Sequence, residues 1–332
     1  MLSASLDHAC ARAAIAVANR APSVYNSQPW RWRLGESSIH LFVDAERALP
    51  ATDPDRRDLR ISCGAALHHL RVALLAVGMR ASVHRLPDPA RPEHLAAVEI
   101  SSAQPSARDI ALATAIETRV SDRRLFSSRP VPAGLLAELA AAAAANGADL
   151  HVLQLGWQRR AVVRLVEEAA IEQALTPGYA HETATWTGRS RSALDGVSVT
   201  SVPRLPDGTV PMRHFAHRQE AEKGRQLEDA DGTVLALLAT KGDGPEDQLR
   251  AGEALSAVLL TATRRRLATD PISQPLEVLG TRLRLRALSL GESSEPQLLI
   301  RVGWPRPGAG PLPATRRRPV DDTIDEWDAP WE

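Results

Sequence analysis

The stretch APSVYNSQPW, at residues 21–30, is the most informative segment of the chain. Its two prolines restrict the backbone near either end. Between them, Ser23, Asn26 and Gln28 carry both hydrogen-bond donors and acceptors. A polar loop with restrained ends suits the edge of a planar heteroaromatic ligand. The segment is equally compatible with a plain turn that leads into the next strand, and these ten residues alone do not separate the two interpretations.

A second stretch, ETRVSDRRLF at residues 117–126, carries Arg119, Ser121 and Arg123 at alternate positions. Alternate residues of an extended chain share one face. Two guanidinium groups with a hydroxyl between them bind phosphate well, through charge-assisted and bidentate hydrogen bonds. The alternative is a solvated basic turn ahead of a helix that begins after Pro132.

The third stretch is TRRRPV at residues 315–320. Its arginines, in particular Arg316 and Arg317, have the charge needed to complete a phosphate site. The alternative is a solvated tail in which the arginines pair with Asp321 and Asp322.

Two helical segments of the chain resemble each other. LRISCGAAL at residues 59–67 is similar to LRAGEAL at residues 249–255, and apolar residues recur at helical spacing in both. An alanine-rich helix lies upstream of each, and a strand candidate lies on either side of each. This shared order predicts two similar α+β halves, residues 1–105 and 106–332, across a pseudo-two-fold interface. Coincidence between two amphipathic helices is the alternative. The strand candidates are residues 39–43, 95–100, 234–238 and 297–302.

The second copy is longer than the first. Gly64 and Gly252 are 188 residues apart (252 − 64), whereas the upstream helices are offset by only 127. The difference of 61 residues (188 − 127) predicts an insertion at about residues 156–220. It starts with a helical pattern and then loses periodicity. A long irregular segment in a compact domain is usually a functional lid or a linker, and aromatic residues such as Tyr179 and Trp186 favour a lid.

Composition excludes several classes of protein. Lysine plus arginine equals aspartate plus glutamate, 40 against 40, which argues against a general nucleic-acid binder. Cys10 and Cys63 are the only cysteines of the sequence and form no CxxC pair, so we expect neither a disulfide framework nor a zinc cluster. Charged residues interrupt the N-terminal segment and every long apolar run. We therefore expect a cytoplasmic protein with no membrane span.

Other catalytic patterns are missing from the sequence. It contains neither a G-x-S-x-G elbow nor a Walker loop. His214 and His217 lack a clear third ligand, so we expect no metal. His68 and His69 follow each other in a helical segment, and we expect them on its exposed face.

Taken together, these stretches resemble the nitroreductase superfamily. Residues 21–30 are similar to its AP-S-x-x-N-x-Q-P-W segment, and residues 119–132 to its Arg-x-Ser-x-Arg opening with a later Pro-Val-Pro. Residues 315–320 resemble its Arg-Arg-Pro-Val tail, and DPISQ at residues 270–274 resembles the Pro-Ile-Glu-Gly loop beside the flavin. The resemblance spans nearly the whole chain apart from the insertion. It implies an α+β nitroreductase-like fold and FMN as the cofactor.

The resemblance also implies roles for individual residues. Phosphate and ribityl contacts come from one half, isoalloxazine contacts from the other, and the Pro-Ile-Glu-Gly-like loop lies near the flavin N5 edge. The residues are Arg119, Ser121, Arg123, Arg316 and Arg317 for the phosphate and ribityl chain; Pro22, Ser23, Asn26 and Gln28 for the isoalloxazine; and Pro271, Ser273 and Gln274 for the N5 edge. Ser273 and Gln274 replace the Glu-Gly pair, so an acidic contact of the family is lost.

Ordinary members of the superfamily are homodimers whose two flavin sites each draw on both subunits. Here the Arg-x-Ser-x-Arg motif lies only ahead of the second copy, and the Pro-Ser-Asn-Gln segment lies only in the first. The resemblance therefore implies one complete site within one chain, in a monomeric pseudo-dimer or a loose homodimer. That pattern, with the insertion, resembles the Acg branch of actinobacterial nitroreductase-like proteins, which is linked to hypoxia and dormancy.

The implied activity is that of an NAD(P)H-dependent oxidoreductase. NADH or NADPH reduces the flavin, and a nitroaromatic or quinone is then reduced at the same face. The flavin carries the chemistry, so we nominate no catalytic amino acid. A second hypothesis is an FMN storage protein, with the region of Trp186 folded over the flavin. A third is a degenerate interaction protein without flavin, against which the retained phosphate-binding motif argues.

Overall fold

The fold is built on two β-sheets. The computed structural model describes residues 8–154, 156–199, 213, 231–291 and 293–325. The strands in this part of the chain are β1 (Trp30–Leu34), β2 (Ser38–Val43), β3 (Met79–Arg85), β4 (His94–Ser102), β5 (Asp149–Val152), β6 (Val234–Thr240), β7 (Ala268–Ile272), β8 (Glu295–Gly303) and β9 (Ile324–Asp325).

The first sheet has the order β3-β4-β2-β1-β9 and the second β5-β6-β8-β7. All neighbours are antiparallel except β9, which joins β1 in parallel. Strands β6 and β8 are almost continuously buried, as expected of central strands covered on both faces, whereas β3 alternates in burial at a sheet edge. The four predicted strand candidates are confirmed as β2, β4, β6 and β8.

Helices cover the sheets. Those of the described residues are α1 (His8–Ala18), α2 (Arg57–Ala76), α3 (Ala107–Thr118), α4 (Ala133–Ala144), α5 (Gly156–Leu175), α6 (Tyr179–Trp186), α7 (Pro245–Arg264), α8 (Gln274–Glu277) and α9 (Leu279–Ser289). Local sequence sets the starts of two of them. Helix α3 begins at a capping box formed by Ser106 and Asp109. Helix α7 has Pro245 in its first turn, where the missing N–H costs nothing.

The two predicted halves have matching strand orders. In the first sheet β3-β4-β2-β1 are neighbours, and in the second β7-β8-β6-β5, which is the same order with each number raised by four. Helix α2 follows β2, and helix α7 follows β6. The alanine-rich helices predicted upstream of each copy are α1 and α4.

Helices α2 and α7 cross at two glycines. A Cβ on Gly64 would lie 2.0 Å from the Leu249 carbonyl oxygen, and a Cβ on Gly252 would lie 2.0 Å from the Ile61 carbonyl oxygen. Both glycine–carbonyl pairs obey the 188-residue offset, since 252 − 64 and 249 − 61 are equal. Each helix also contributes a residue to the hydrophobic core of the other half. Leu249 of α7 packs in the core of the first half, and Ile61 of α2 packs in the core of the second half.

The predicted insertion begins as an ordered segment. Helix α5 confirms the helical pattern after residue 156, and α6 follows within a stretch that the sequence predicts to be irregular. Glu182 of α6 accepts hydrogen bonds from the backbone N–H groups of Ala51 and Thr52, at 3.0 and 2.9 Å. The insertion is therefore bound to the first half. Residues 200–212 and 214–220 lie outside the described residues, as do His214 and His217.

The C-terminal segment returns to the first half. Strand β9 extends the first sheet, and Arg318 pairs with Asp44 at 3.1 Å. Asn19 donates to the Thr323 hydroxyl at 2.8 Å. The division between the halves at residue 105 stays a prediction. Strand β9 belongs to the range 106–332, yet it lies in the sheet formed by residues 1–105.

One expectation about histidines is wrong. His68 and His69 are buried between α2 and α7, not exposed. Each ring places Nδ1 within 2.9 Å of the Ser256 hydroxyl, and burial lowers the pKa of His68 to about 3. Helix α2 is packed on several sides. It therefore buries residues that would be exposed on a helix with a single apolar face.

Candidate functional site

A cavity of two joined compartments lies between the N-terminal segment, the strand-like run after α3, and the ends of α2, α7 and β7. The basic compartment is lined by Asn26, Arg119, Ser121, Arg123 and Arg317, among others. The apolar compartment is lined by Ile61, Leu255, Pro271, Ile272 and Leu298, among others. Pro22, Ser23, Ser121, Arg123 and Val197 line both.

Arg119 gives the basic compartment a buried positive charge. The residue is 7% exposed, and its Nη2 donates a long 3.5 Å hydrogen bond to the Arg20 carbonyl oxygen. Its Nε and Nη1 atoms have no hydrogen-bond partner among the described residues. Burial, and then the charge of Arg20, lower the pKa of Arg119 to about 10, so the group stays protonated at neutral pH. A buried cation with open donors is costly unless an anion joins it.

Arg317 adds a second such charge. Its Nη2 donates to the carbonyl oxygens of Arg20 and Ala21, at 3.2 and 3.1 Å, which anchors the C-terminal segment beside the start of the cavity. Its Nε is buried without a partner in the described part of the chain. Burial, followed by the charges of Arg119 and Arg20, lowers the pKa of Arg317 to about 9. No acidic side chain of the described residues lines this compartment.

The N-terminal segment has an unusual backbone. Tyr25, Asn26 and Gln28 all have φ between 51° and 55°, in the left-handed region. Such conformations persist in non-glycine residues only where surrounding contacts enforce them, and they cluster at functional sites. Ser23 Oγ accepts the Gln28 backbone N–H at 3.0 Å, and Asn26 Nδ2 donates to the Arg316 carbonyl oxygen at 3.2 Å. These bonds hold the loop against the cavity.

Two predicted contact residues lie outside the lining. Gln28 is fully buried; its amide donates to the Leu194 carbonyl oxygen at 2.8 Å, and its Oε1 accepts the Arg318 backbone N–H at 2.9 Å. Arg316 is exposed and donates to the Ser192 carbonyl oxygen at 3.4 Å. Both connect the insertion and the C-terminal segment to the N-terminal loop.

Residues 271–274 line the apolar compartment. Ser273 Oγ donates to Glu277 at 2.6 Å, and Gln274 Nε2 donates to the Gln173 Oε1 at 2.9 Å. The Gln274 Oε1 has no partner among the described residues. Both side chains are held by neighbours behind the loop, so its backbone faces the cavity.

The insertion contributes lining residues that the sequence pattern did not identify. They are Gly196, Val197, Ser198 and Arg213. The predicted lid residues, Tyr179 and Trp186, line neither compartment. Trp186 packs against the Tyr25–Val197 cluster behind the wall, beneath the guanidinium of Arg47 at 5.3 Å. They support the lining residues without reaching the cavity.

Arg213 lies in the wall of the apolar compartment and faces a buried carboxylate. It pairs with Glu277, donates to the Tyr25 hydroxyl at 2.8 Å, and stacks over that ring at 4.9 Å. Its hydrogen bond to the Tyr179 hydroxyl measures 3.3 Å. Single arginines give no recognisable pattern in a sequence, so this contact had no detectable signal.

Asp58, in the first turn of α2, is a further lining residue that the sequence did not single out. It is 2% exposed. Burial and the neighbouring charges of Asp53 and Glu277 raise the pKa of Asp58 well above its usual range. A lone aspartate at a helix start is normally interpreted as favourable to the helix dipole, so its sequence position does not mark it as a cavity residue.

No group of three or more His, Cys, Asp or Glu side chains of the described residues is placed to hold a metal ion. None of the helices in the described ranges is both long enough and apolar enough to cross a membrane.

Comparison with known proteins decides the family. A Mycobacterium tuberculosis protein provisionally named NAD(P)H nitroreductase Rv3131 is 40% identical over 316 residues, which cover 95% of this chain and 91% of the relative. A second protein of that organism, provisionally named NAD(P)H nitroreductase acg, is 34% identical over 318 residues, with 94% of both chains covered. The chain belongs to the nitroreductase superfamily. It shares that family with Acg, as the sequence motifs predict.

Two solved structures align with this nitroreductase-family chain. A nitroreductase with bound FMN from Desulfitobacterium hafniense is 14% identical, with 65% of this chain and 97% of that one covered at a TM-score of 0.41. The nitroreductase NfnB, described as FMN- and NADPH-dependent, from a Sphigopyxis species is 19% identical, with coverages of 66% and 99% at 0.40. No protein-family model matches the chain. The family assignment rests on the two mycobacterial relatives.

Proposed function

We propose that the cavity binds one FMN, and that the protein is an NAD(P)H-dependent oxidoreductase that reduces small quinone or nitroaromatic acceptors. The observation that carries this proposal is the basic compartment. Arg119 is buried there and Arg317 is half-buried, each has guanidinium donors without a partner among the described residues, and no carboxylate of those residues lines the compartment. A phosphate monoester supplies both the missing charge and the missing acceptors.

The remainder of the cavity fits the other parts of the flavin. Ser121 and Arg123 lie where the compartments join and suit the ribityl hydroxyls. Apolar side chains from α2, α7 and β8 suit a planar ring system, because small-molecule sites are mostly apolar with a few polar groups that fix orientation. Pro22 and Ser23 approach from the N-terminal loop, and Pro271 from the opposite side. When bound, the flavin would supply the redox chemistry between a nicotinamide and the acceptor.

The same contacts support an internal duplication with a single site. The two sheets share one strand order, and the α2–α7 crossing repeats with the 188-residue offset. Arg119 and Arg123 precede the second unit, whereas Pro22 and Ser23 belong to the first. Both sets line one cavity in one chain. We infer that flavin binding needs no second subunit, and that the protein is a monomer or a loose homodimer.

The storage hypothesis is supported by a specific observation. Four residues of the insertion line the cavity, and Asp195 binds the insertion to the first half through Arg47 at 2.5 Å. A segment held in this way shields a bound flavin from large acceptors. The oxidoreductase and storage hypotheses share the site and differ in whether a reductant reaches it.

The visible absorbance spectrum of the protein, before and after anaerobic NADPH, tests both hypotheses. Flavin bands that bleach with NADPH, and return with a quinone, support the oxidoreductase. Bands that bleach only with a small chemical reductant support storage. If the protein shows no flavin bands after incubation with FMN and desalting, the cavity has been assigned to the wrong ligand.

A further inference from the structure

One carboxyl group of the apolar compartment has no obvious structural role. Asp58 is buried in the cavity wall beside Ser62, Ser273 and Gln274. Neither of its carboxyl oxygens accepts a hydrogen bond from any N–H or hydroxyl donor of the described residues. Glu277 and Asp53 place negative charge near it.

A buried carboxylate that accepts no hydrogen bond is costly, and such a group takes up a proton instead. Glu277 receives hydrogen bonds from Arg213, Ser273 and Gln173, and its side chain is fully buried. Asp58 receives none from the described residues, although it is only 2% exposed. We therefore expect Asp58 to hold a proton.

The other charges around Asp58 act in the same direction. Burial is the main cause that raises the pKa of Asp58, and the charges of Asp53 and Glu277 raise it further. Arg57 alone opposes them. That guanidinium is already committed to Asp243, at 3.1 Å, and to the Gln297 side chain. The raised pKa of Asp58 favours its protonated form, and the residue lines the space where an acceptor would bind.

The proposed reaction requires such an acid. A quinone takes up two electrons and two protons when it becomes a hydroquinone. NAD(P)H supplies two electrons and one proton, in the form of a hydride equivalent. The second proton has to come from the protein or from water, and an acid in the cavity wall is placed to supply it.

We propose that Asp58 is the proton donor to the quinone-type acceptor, a role that rests on the proposed oxidoreductase function. The Asp58 O–H bond breaks, a new O–H bond forms on an acceptor oxygen, and the electron pair stays on the Asp58 carboxylate. Solvent protons then restore the acid, a step favoured because two adjacent buried carboxylates repel each other.

The protonation state is tested first, by infrared spectroscopy of the protein without flavin at neutral pH. The wild type is expected to show the carbonyl stretch of a protonated carboxylic acid, and Asp58→Asn is expected to lose it. Asp53→Asn is the matched control and keeps the band, because Asp53 belongs to the same acidic group but does not line the cavity. A wild-type spectrum without this band overturns the inference.

The chemical role is tested by the oxidation of flavin-loaded protein that has been reduced with dithionite. 1,4-Benzoquinone needs protons as it is reduced, whereas ferricyanide takes up electrons alone. For Asp58→Asn, the ratio of the quinone rate to the ferricyanide rate is expected to fall by roughly 100- to 10,000-fold, as for the loss of a general acid. Glu277→Gln keeps the Asp58 proton within the cavity and is expected to retain a far larger ratio than Asp58→Asn.

The outcomes separate the two proposals. If the wild type binds no flavin, the proposed function fails, while the infrared result still decides whether Asp58 holds a proton. If flavin binds and Asp58→Asn leaves the rate ratio unchanged, the proton-donor role is overturned and the flavin site stands. Equal slowing with both acceptors indicates structural damage around α2 and also counts against the role. Retention of the infrared band in Asp58→Asn assigns the proton to another group.

Discussion

Replacement of Arg119 by methionine is expected to stabilise the flavin-free protein and weaken FMN binding at the same time. Arg119 is buried, and its Nε and Nη1 atoms have no partner among the described residues. Burial, with the charge of Arg20, lowers its pKa from 12.5 to about 10, which corresponds to a cost of about 3 kcal/mol for the charged form. Methionine occupies the same space without that cost.

The same substitution removes charge-assisted hydrogen bonds to the FMN phosphate. One such bond contributes about 1.5–3 kcal/mol, so the dissociation constant for FMN should rise roughly 10- to 100-fold. Titration of the apoprotein with FMN, followed by flavin fluorescence, measures the affinity. Thermal unfolding with and without FMN measures the opposing effect on stability.

Arg250→Met is the matched control, because Arg250 is an exposed arginine of α7 that pairs with Glu246 on the same helix. Its loss should change stability by no more than about 0.5 kcal/mol and leave FMN affinity unaltered. The reasoning is refuted if Arg119→Met destabilises the apoprotein while it binds FMN as tightly as the wild type. That result would mean that Arg119 already has a counter-charge and serves the fold.

Three further predictions concern the helix crossing, the acidic group and the insertion. Gly64→Ala places a methyl group against a carbonyl of α7 and should lower the free energy of unfolding, measured in urea, by at least about 1–3 kcal/mol. Gly134→Ala is the control and should cost nothing, because Gly134 has open space around it. Equal stabilities of the two variants would contradict the close crossing. Burial raises the pKa of Asp53 to about 6 from 3.8, so its stabilising contribution is complete below pH 3.8 and is lost by about pH 6. Relative to the wild type, Asp53→Asn should therefore become more stable across that window, by up to about 3 kcal/mol, and a pH-independent difference would refute this. Asp195→Asn removes the ion pair with Arg47 and should speed FMN release and reduction by NADPH; unchanged rates would show that the insertion is not held by this contact.

Local patterns in the sequence were sufficient for four of the strands, for the helices α1, α2, α4 and α7, and for the family. The strands around α2 and α7 and the helical start of the insertion follow from periodicity, because burial on one face repeats at the spacing of the element. The basic residues of 119–123 and the polar loop after Pro22 were identified from residue type and order. Their chemistry is local: a guanidinium binds phosphate wherever it is placed.

Which side chains meet was decided by the tertiary structure. Gln28 belongs to the same motif as Asn26, yet it turns away from the cavity to the insertion, since a left-handed backbone redirects successive side chains. Tyr179 and Trp186 support the wall, while Val197 forms it.

The acidic pair illustrates the limit of sequence reasoning most directly. Asp58 and Glu277 are more than two hundred residues apart, and neither belongs to a motif. Their charges interact because Asp58 lines the same compartment as Ser273 and Gln274, which lie just before Glu277 in the chain. The sequence by itself determined which charges the protein has and which elements carry them. Only the packing of those elements buried Asp58 without a hydrogen-bond donor and near the charge of Glu277, and these two conditions raise the pKa of an acid.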